Sequence, residues 1–188
     1  MDEAIGGRAA AGERAPGGSG DARNELTHLR PEGGVRMVDI GGKSVTFRKA
    51  VARGEIRMSP ETLALISQGK VAKGDVLTAA QIAGIMAAKR TQELIPLCHQ
   101  INLTGVDVEL RVNPERSVVE VEATARLEGK TGAEMEALVA VAISCLTVYD
   151  MCKAVDKEME IGRIRLVEKS GGKSGSFVRE DERPCQHE

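Results

Sequence analysis

From residue 102 to residue 127 the chain alternates apolar and polar side chains on either side of a short N-P-E-R turn, and this pattern constrains the fold more than any other. Val106, Val108, Leu110 and Val112 point one way, while Asp107, Glu109 and Arg111 point the other. After the turn, Val119, Val121, Ala123, Ala125 and Leu127 alternate with Glu120, Glu122, Thr124 and Arg126. A strand places successive side chains on opposite faces, so residues 102–112 and 117–127 form an antiparallel hairpin with one apolar and one polar face. The apolar face needs a cover.

Residues 137–149, A-L-V-A-V-A-I-S-C-L-T-V-Y, supply one. They are apolar on every side of a helix, which is expected to follow the G-K-T-G string at 129–132 and to run to about residue 159. Ser59 is a natural N-cap, with Pro60 at the first helical position, Glu61 in the first turn, Leu63 and Ile66 on one face, and Gly69 as the stop. A further helix is expected over residues 78–90, where Ala79, Ile82, Ile85 and Met86 form a stripe. Val45, Phe47, Lys49 and Val51 partly alternate within residues 44–57, predicting a strand interrupted near Gly54, and residues 163–167 read as a short last strand. The order strand, helix, helix, strand, strand, helix, strand is that of a ferredoxin-like α+β sandwich with an extra helix after the first strand. Such a fold has an antiparallel sheet with helices on one face. The long helix is too apolar for one sheet alone, so its other side is expected to be buried in a homo-oligomer.

The length of 188 residues suits one domain. Residues 1–25, rich in Gly, Ala and Arg without periodicity, are expected to be a disordered leader; residues 26–177 form the domain, and residues 178–188, with Cys185 and His187, a flexible tail. A net charge of −2, a pI near 6.0, two Phe, one Tyr and no Trp argue against a nucleic-acid partner. Cys98, Cys145, Cys152 and Cys185 show neither C-x-x-C nor zinc spacing and are read as reduced thiols. No apolar run approaches the roughly 20 residues of a membrane span, and the N-terminus lacks a secretory signal. The expectation is a cytoplasmic protein with neither membrane nor metal site.

Charged residues at the end of the apolar helix point to chemistry. In Y-D-M-C-K, at 149–153, Asp150 and Lys153 share a helix face. As a surface pair they are worth a few tenths of a kcal/mol; as a proton-transfer pair they offer two groups adjustable by the local field. The strings G-K-T at 129–131 and G-K-S at 172–174 both miss the first glycine of a phosphate loop, since Thr124 and Val167 stand there. Thr131 nevertheless lies at a helix start able to bind anions. His99, Lys73 and Lys169 read singly as structural or solvated groups. Glu134 and Glu136 lie in the first helical turn, where the dipole favours negative charge.

Taken together, M-V-D-I (37–40), K-G-D-V (73–76), A-G-I-x-A-A-K-R (83–90), L-I-P-L-C-H (94–99), G-K-T-G-x-E-M-E-A-L (129–138), Y-D-M-C-K-A-V (149–155) and K-S-G-G-K-S-G (169–175) closely resemble the cyclic pyranopterin monophosphate synthase family of molybdenum cofactor biosynthesis. The resemblance covers about residues 26–177; the one local departure is Gln100, where the family usually has Pro. It implies a lyase that converts 3′,8-cyclo-7,8-dihydro-GTP into cyclic pyranopterin monophosphate and pyrophosphate. It also implies a ferredoxin-like subunit in a hexamer, a trimer of dimers, with active sites between subunits. By motif match Leu97, Cys98, His99, Met135 and Glu136 would bind substrate, and Asp150 would be catalytic. Residue chemistry adds Lys153 and Lys73 to the catalytic set, and Thr131, Glu134 and Lys169 to the binding set. No cofactor is required, although a triphosphate can bring its own Mg²⁺. A nucleotide sensor on the same fold would have no need of the Asp150 and Lys153 pair or of His99, and an interaction module would be favoured only if the lysines were dispensable for a phosphate ligand.

Overall fold

The computed structural model describes residues 33–182. The expected leader and Cys185 and His187 of the expected tail lie outside those residues. The chain divides into two units, Met1–Arg36, of which only residues 33–36 are described, and Met37–Glu188.

In the second unit the elements are β1 (Thr46–Arg57), α1 (Pro60–Ser67), α2 (Val76–Ala88), α3 (Thr91–Leu94), β2 (Leu103–Asn113), β3 (Val118–Gly129), α4 (Glu134–Cys152), β4 (Glu160–Ser170) and β5 (Phe177–Val178). The strands form one antiparallel sheet in the order β2-β3-β1-β4-β5. Its first four strands give the ferredoxin-like arrangement, and this is an α+β sandwich as the sequence order implied.

Register explains the layering. Ala50 faces Ala125, Ala52 faces Ala123 and Ile56 faces Val119 across β1 and β3, while Val108 faces Ala123 across β2 and β3. Directly opposed residues share a face, so this set forms the buried side, and α4 covers it with Ala137, Ala140, Val141, Cys145 and Val148. Arg53, Glu122, Glu109 and Arg165 occupy the other side, where Arg53 pairs with Glu122 and Glu182 bridges Arg53 and Arg165. Small side chains let α2 and α4 approach closely. A Cβ at Gly84 would run into Ser144, whose hydroxyl donates 3.0 Å to the Ala80 carbonyl, and would lie 3.3 Å from Val108. Gly84→Ala should therefore destabilise the fold by about 1–3 kcal/mol.

Ser59 accepts from the Thr62 amide and begins α1, and Gly69 at φ +65° ends it, as expected. Several expectations change. β1 runs unbroken through Gly54, and the irregularity falls in its pairing with β4. α4 stops at Cys152 rather than near residue 159: the Asp156 carboxylate accepts 2.9 Å from the Ser59 amide and turns the chain toward α1. β4 extends well beyond residues 163–167. At 19 residues and mean hydropathy 1.6, α4 is long and apolar enough to cross a membrane by length and composition, but its apolar face is spent on β1, β3 and β4. After residue 177 the chain still holds structure, because β5 pairs with β4 and Glu182 of a 3-10 turn pairs with Arg53 and Arg165.

Candidate functional site

The sequence-selected residues gather at the two ends of α4. At the C-terminal end, Lys73 donates 2.9 Å to the Asp150 carboxylate and 2.7 Å to the Asp150 carbonyl, and Lys153 lies 2.7 Å from the other carboxylate oxygen. Lys153 is the C-cap of α4, which explains its place one turn after Asp150. Lys73 comes from a different segment. A turn at Gly74, where φ is +100° and the amide donates 3.0 Å to the Val71 carbonyl, precedes the Asp75 N-cap of α2 and aims Lys73 at α4. Hydrogen bonds from Lys153 and Lys73, then their charges, hold the Asp150 carboxyl down near pKa 2. Asp150 in turn raises the Lys153 ammonium. At neutral pH this is an ionised carboxylate between two cations, so in this arrangement Asp150 cannot donate a proton, whereas Lys153 can.

The N-terminal end is different in character. Glu136 is 3% exposed, and burial pushes its carboxyl up to about 7, with a smaller contribution from Glu134 and an opposing backbone hydrogen bond. Cys98 lies close enough for burial and then Glu136 to raise its thiol. The half-buried His99 places Nε2 2.6 Å from the Val38 carbonyl. Glu134 pairs with Lys169 at 3.0 Å. Met135 lies between the two glutamates, half-buried like Leu97 and Thr131.

Lys169 reaches this end because of a bulge. Ala52 pairs with Leu166 but Val51 with Glu168, which leaves Val167 as an extra residue in β4. Beyond the bulge Lys169 opposes Ala50, on the helix-covered side; without it, strand alternation would send Lys169 to the open face.

A family model described as the MoaC family matches residues 37–172. The chain belongs to the MoaC family. A relative from Pelotomaculum thermopropionicum, named cyclic pyranopterin monophosphate synthase, is 63% identical over 157 residues, 84% of this chain and 92% of the relative. Proteins of the same name from Chloroflexus aurantiacus and Brucella ovis are 60% and 57% identical, covering 85% and 84% of this chain and 98% and 95% of their own. The motifs that carried the resemblance all lie in the matched region, apart from the last residues of K-S-G-G-K-S-G.

In this MoaC-family chain the geometry adds Arg48, which sequence reasoning missed. Arg48 donates 3.0 Å from Nε to the Gly129 carbonyl, and its guanidinium occupies the space where a Cβ on Gly172 would lie, at φ +77°. It therefore joins the G-K-T-G turn to the K-S-G-G turn. Lys130 donates 2.6 Å to the Gly41 carbonyl. The available signal was strand parity: Arg48 lies on the same side of β1 as Ala50 and Ala52, where a charge needs a reason.

The two ends do not meet within one chain. Glu136 and Asp150 are fourteen residues apart on α4, about 21 Å along its axis. A cavity of about 370 Å³, lined by Arg53, Glu55, Arg111, Arg116, Glu122 and Arg165 among others, lies on the open sheet face and contains neither end. Among the described residues no group of three or more His, Cys, Asp or Glu is placed to hold a metal ion.

Proposed function

We propose that this MoaC-family chain converts 3′,8-cyclo-7,8-dihydro-GTP into cyclic pyranopterin monophosphate, as a lyase of molybdenum cofactor biosynthesis in the cytoplasm. The observation that carries the reading is the Asp150 carboxylate held by Lys73 and Lys153, which brings the K-G-D-V and Y-D-M-C-K strings into one cluster. The free thiols of Cys98, Cys145 and Cys152 suit a reducing compartment.

Rebuilding the guanine and ribose atoms into a pyranopterin requires successive proton transfers. Lys153 and Lys73 supply the acid groups, and Asp150 fixes their positions and stabilises the charged form of Lys153. Closure of the cyclic phosphate forms a bond from a ribose-derived oxygen to the innermost phosphorus and breaks the bond to pyrophosphate, while the hydroxyl proton passes to a base. Negative charge accumulates on the leaving group, and Lys169, Arg48 and Lys130 around the glycine turns are the cations suited to it. Leu97, Cys98, His99, Thr131, Glu134, Met135 and Glu136 form the binding end. Any Mg²⁺ would arrive with the substrate phosphates.

The separation of the two ends supports a site completed by a second copy, whose α4 C-terminal cluster faces the first copy's N-terminal cluster. Ile82 and Met86 on α2 and Leu146 on α4 are exposed apolar side chains suited to contacts between copies, in a hexamer built as a trimer of dimers. The direct test is incubation of the purified chain with 3′,8-cyclo-7,8-dihydro-GTP. Pyrophosphate release together with a pterin product is expected; binding without either product would reject the synthase.

A further inference from the structure

His99 has an unusual neighbour for a ligand-binding histidine: a backbone carbonyl at 2.6 Å from Nε2, contributed by Val38 in the M-V-D-I segment. A carbonyl oxygen only accepts, so Nε2 must carry the proton. In the neutral ring the other nitrogen, Nδ1, then holds a lone pair and no hydrogen. Among the described residues no hydrogen bond engages Nδ1. The side chain is half-buried.

We propose that residues 37–40 set the tautomer of His99, so that His99 meets the substrate as a hydrogen-bond acceptor at Nδ1 and reads a donor group, a hydroxyl or a ring N–H. This deepens the proposed function and rests on it for the identity of the substrate. The consequence is specific. In its neutral form the ring has its single N–H engaged by Val38 and cannot donate to a phosphate oxygen, and that form of His99 belongs with recognition of the pterin-forming part of the substrate. The phosphates are left to Arg48, Lys130 and Lys169. Val38 acts only through its backbone carbonyl, which makes it a positioning residue whose side chain is free to vary.

Two measurements on the full chain test this. The first is nitrogen-15 NMR of histidine-labelled protein at the pH of the assay. The sequence holds only His28, His99 and His187, and the spectrum of His99→Gln identifies the His99 signals by their loss. A protonated Nε2 with an unprotonated Nδ1 is expected; the opposite tautomer, or a doubly protonated ring, overturns the proposal. The second compares His99→Asn, whose amide oxygen falls near the Nδ1 position, with His99→Gln, whose amide reaches the Nε2 position. Losing the substrate hydrogen bond should raise KM about tenfold more in His99→Gln than in His99→Asn. Equal losses, or a better His99→Gln, overturn the acceptor role. A wild-type chain that releases no pyrophosphate would instead reject the proposed reaction, and with it the substrate half of this inference, while the NMR result still decides the tautomer.

Discussion

The two ends of α4 treat the same chemical group in opposite ways. Glu136 in the first turn is buried and its carboxyl is pushed up to about 7, whereas Asp150 in the last turn is exposed and held near 2. A helix dipole alone would predict the reverse, since it stabilises negative charge at the N-terminus by about 0.3–1 kcal/mol. The shift at Glu136 corresponds to roughly 3 kcal/mol, so desolvation outweighs the dipole there. At Asp150, hydrogen bonds from two ammonium groups outweigh an unfavourable helix end. The lesson is that ionisation follows local surroundings and not position on the helix. One end of α4 is a partly neutral, desolvated surface, which the proposed function makes the recognition end; the other is an exposed charge cluster, to which it gives proton movement.

The largest effect should come from the charge cluster. Asp150→Asn keeps the shape but removes the charge that holds Lys73 and Lys153, and pyrophosphate release should fall by about 10²–10⁴-fold with thermal unfolding little changed. Near-normal turnover in that variant would remove Asp150 from the mechanism. The same variant tests whether the ends belong to one site. In a two-fold dimer with shared sites, an equimolar mixture of Asp150→Asn and Glu136→Ala subunits, unfolded and refolded together, should recover about a quarter of wild-type activity from two inactive parents. No recovery in hybrids of confirmed composition would place both ends in one protomer's site and contradict the 21 Å separation as a functional fact.

Next in size is the pH response of Glu136. Its folded carboxyl titrates higher than in the unfolded chain, so between about pH 4.5 and 7 the folded state binds more protons, and stability declines as pH rises through that window. The decline should approach at most about 3 kcal/mol. Glu136→Gln, neutral at every pH, should flatten that part of the profile in urea unfolding. A variant with the wild-type pH dependence would show that Glu136 is not the buried titrating group.

Much of the fold was legible because its strands carry a strict period of two. Val106 to Val112 and Val119 to Leu127 emerged on one face as their alternation required. What failed to show was information held in tertiary contacts. The stop of α4 depends on Asp156 reaching Ser59, far away in sequence, and nothing in the apolar run announces it. The Val167 bulge is equally silent, because one extra residue in β4 is visible only against the register of β1. The candidate residues were legible as motifs, yet their division into two distant clusters was not. Motifs single out candidate residues, and the helix between them records how far apart they lie.

The smallest predicted effect discriminates between the ends by applying one substitution to both. Lys169→Met and Lys153→Met each remove an ammonium while keeping much of the side-chain length. At the first end Lys169 and Glu134 are both about 30% exposed, so losing their ion pair should change stability by no more than about 1 kcal/mol. Its effect should fall on binding, with KM rising about tenfold and kcat within a few-fold of wild type. At the second end Lys153→Met should lower kcat with little change in KM, because a proton-transfer group acts in the transition state. Glu134 sharpens the contrast: without Lys169 its carboxylate stands unpaired beside the incoming phosphates, so Lys169→Met combined with Glu134→Gln should recover part of the lost affinity. Failure of that recovery, or a kcat defect at both ends, would mean that the recognition and reaction ends of α4 are not separable.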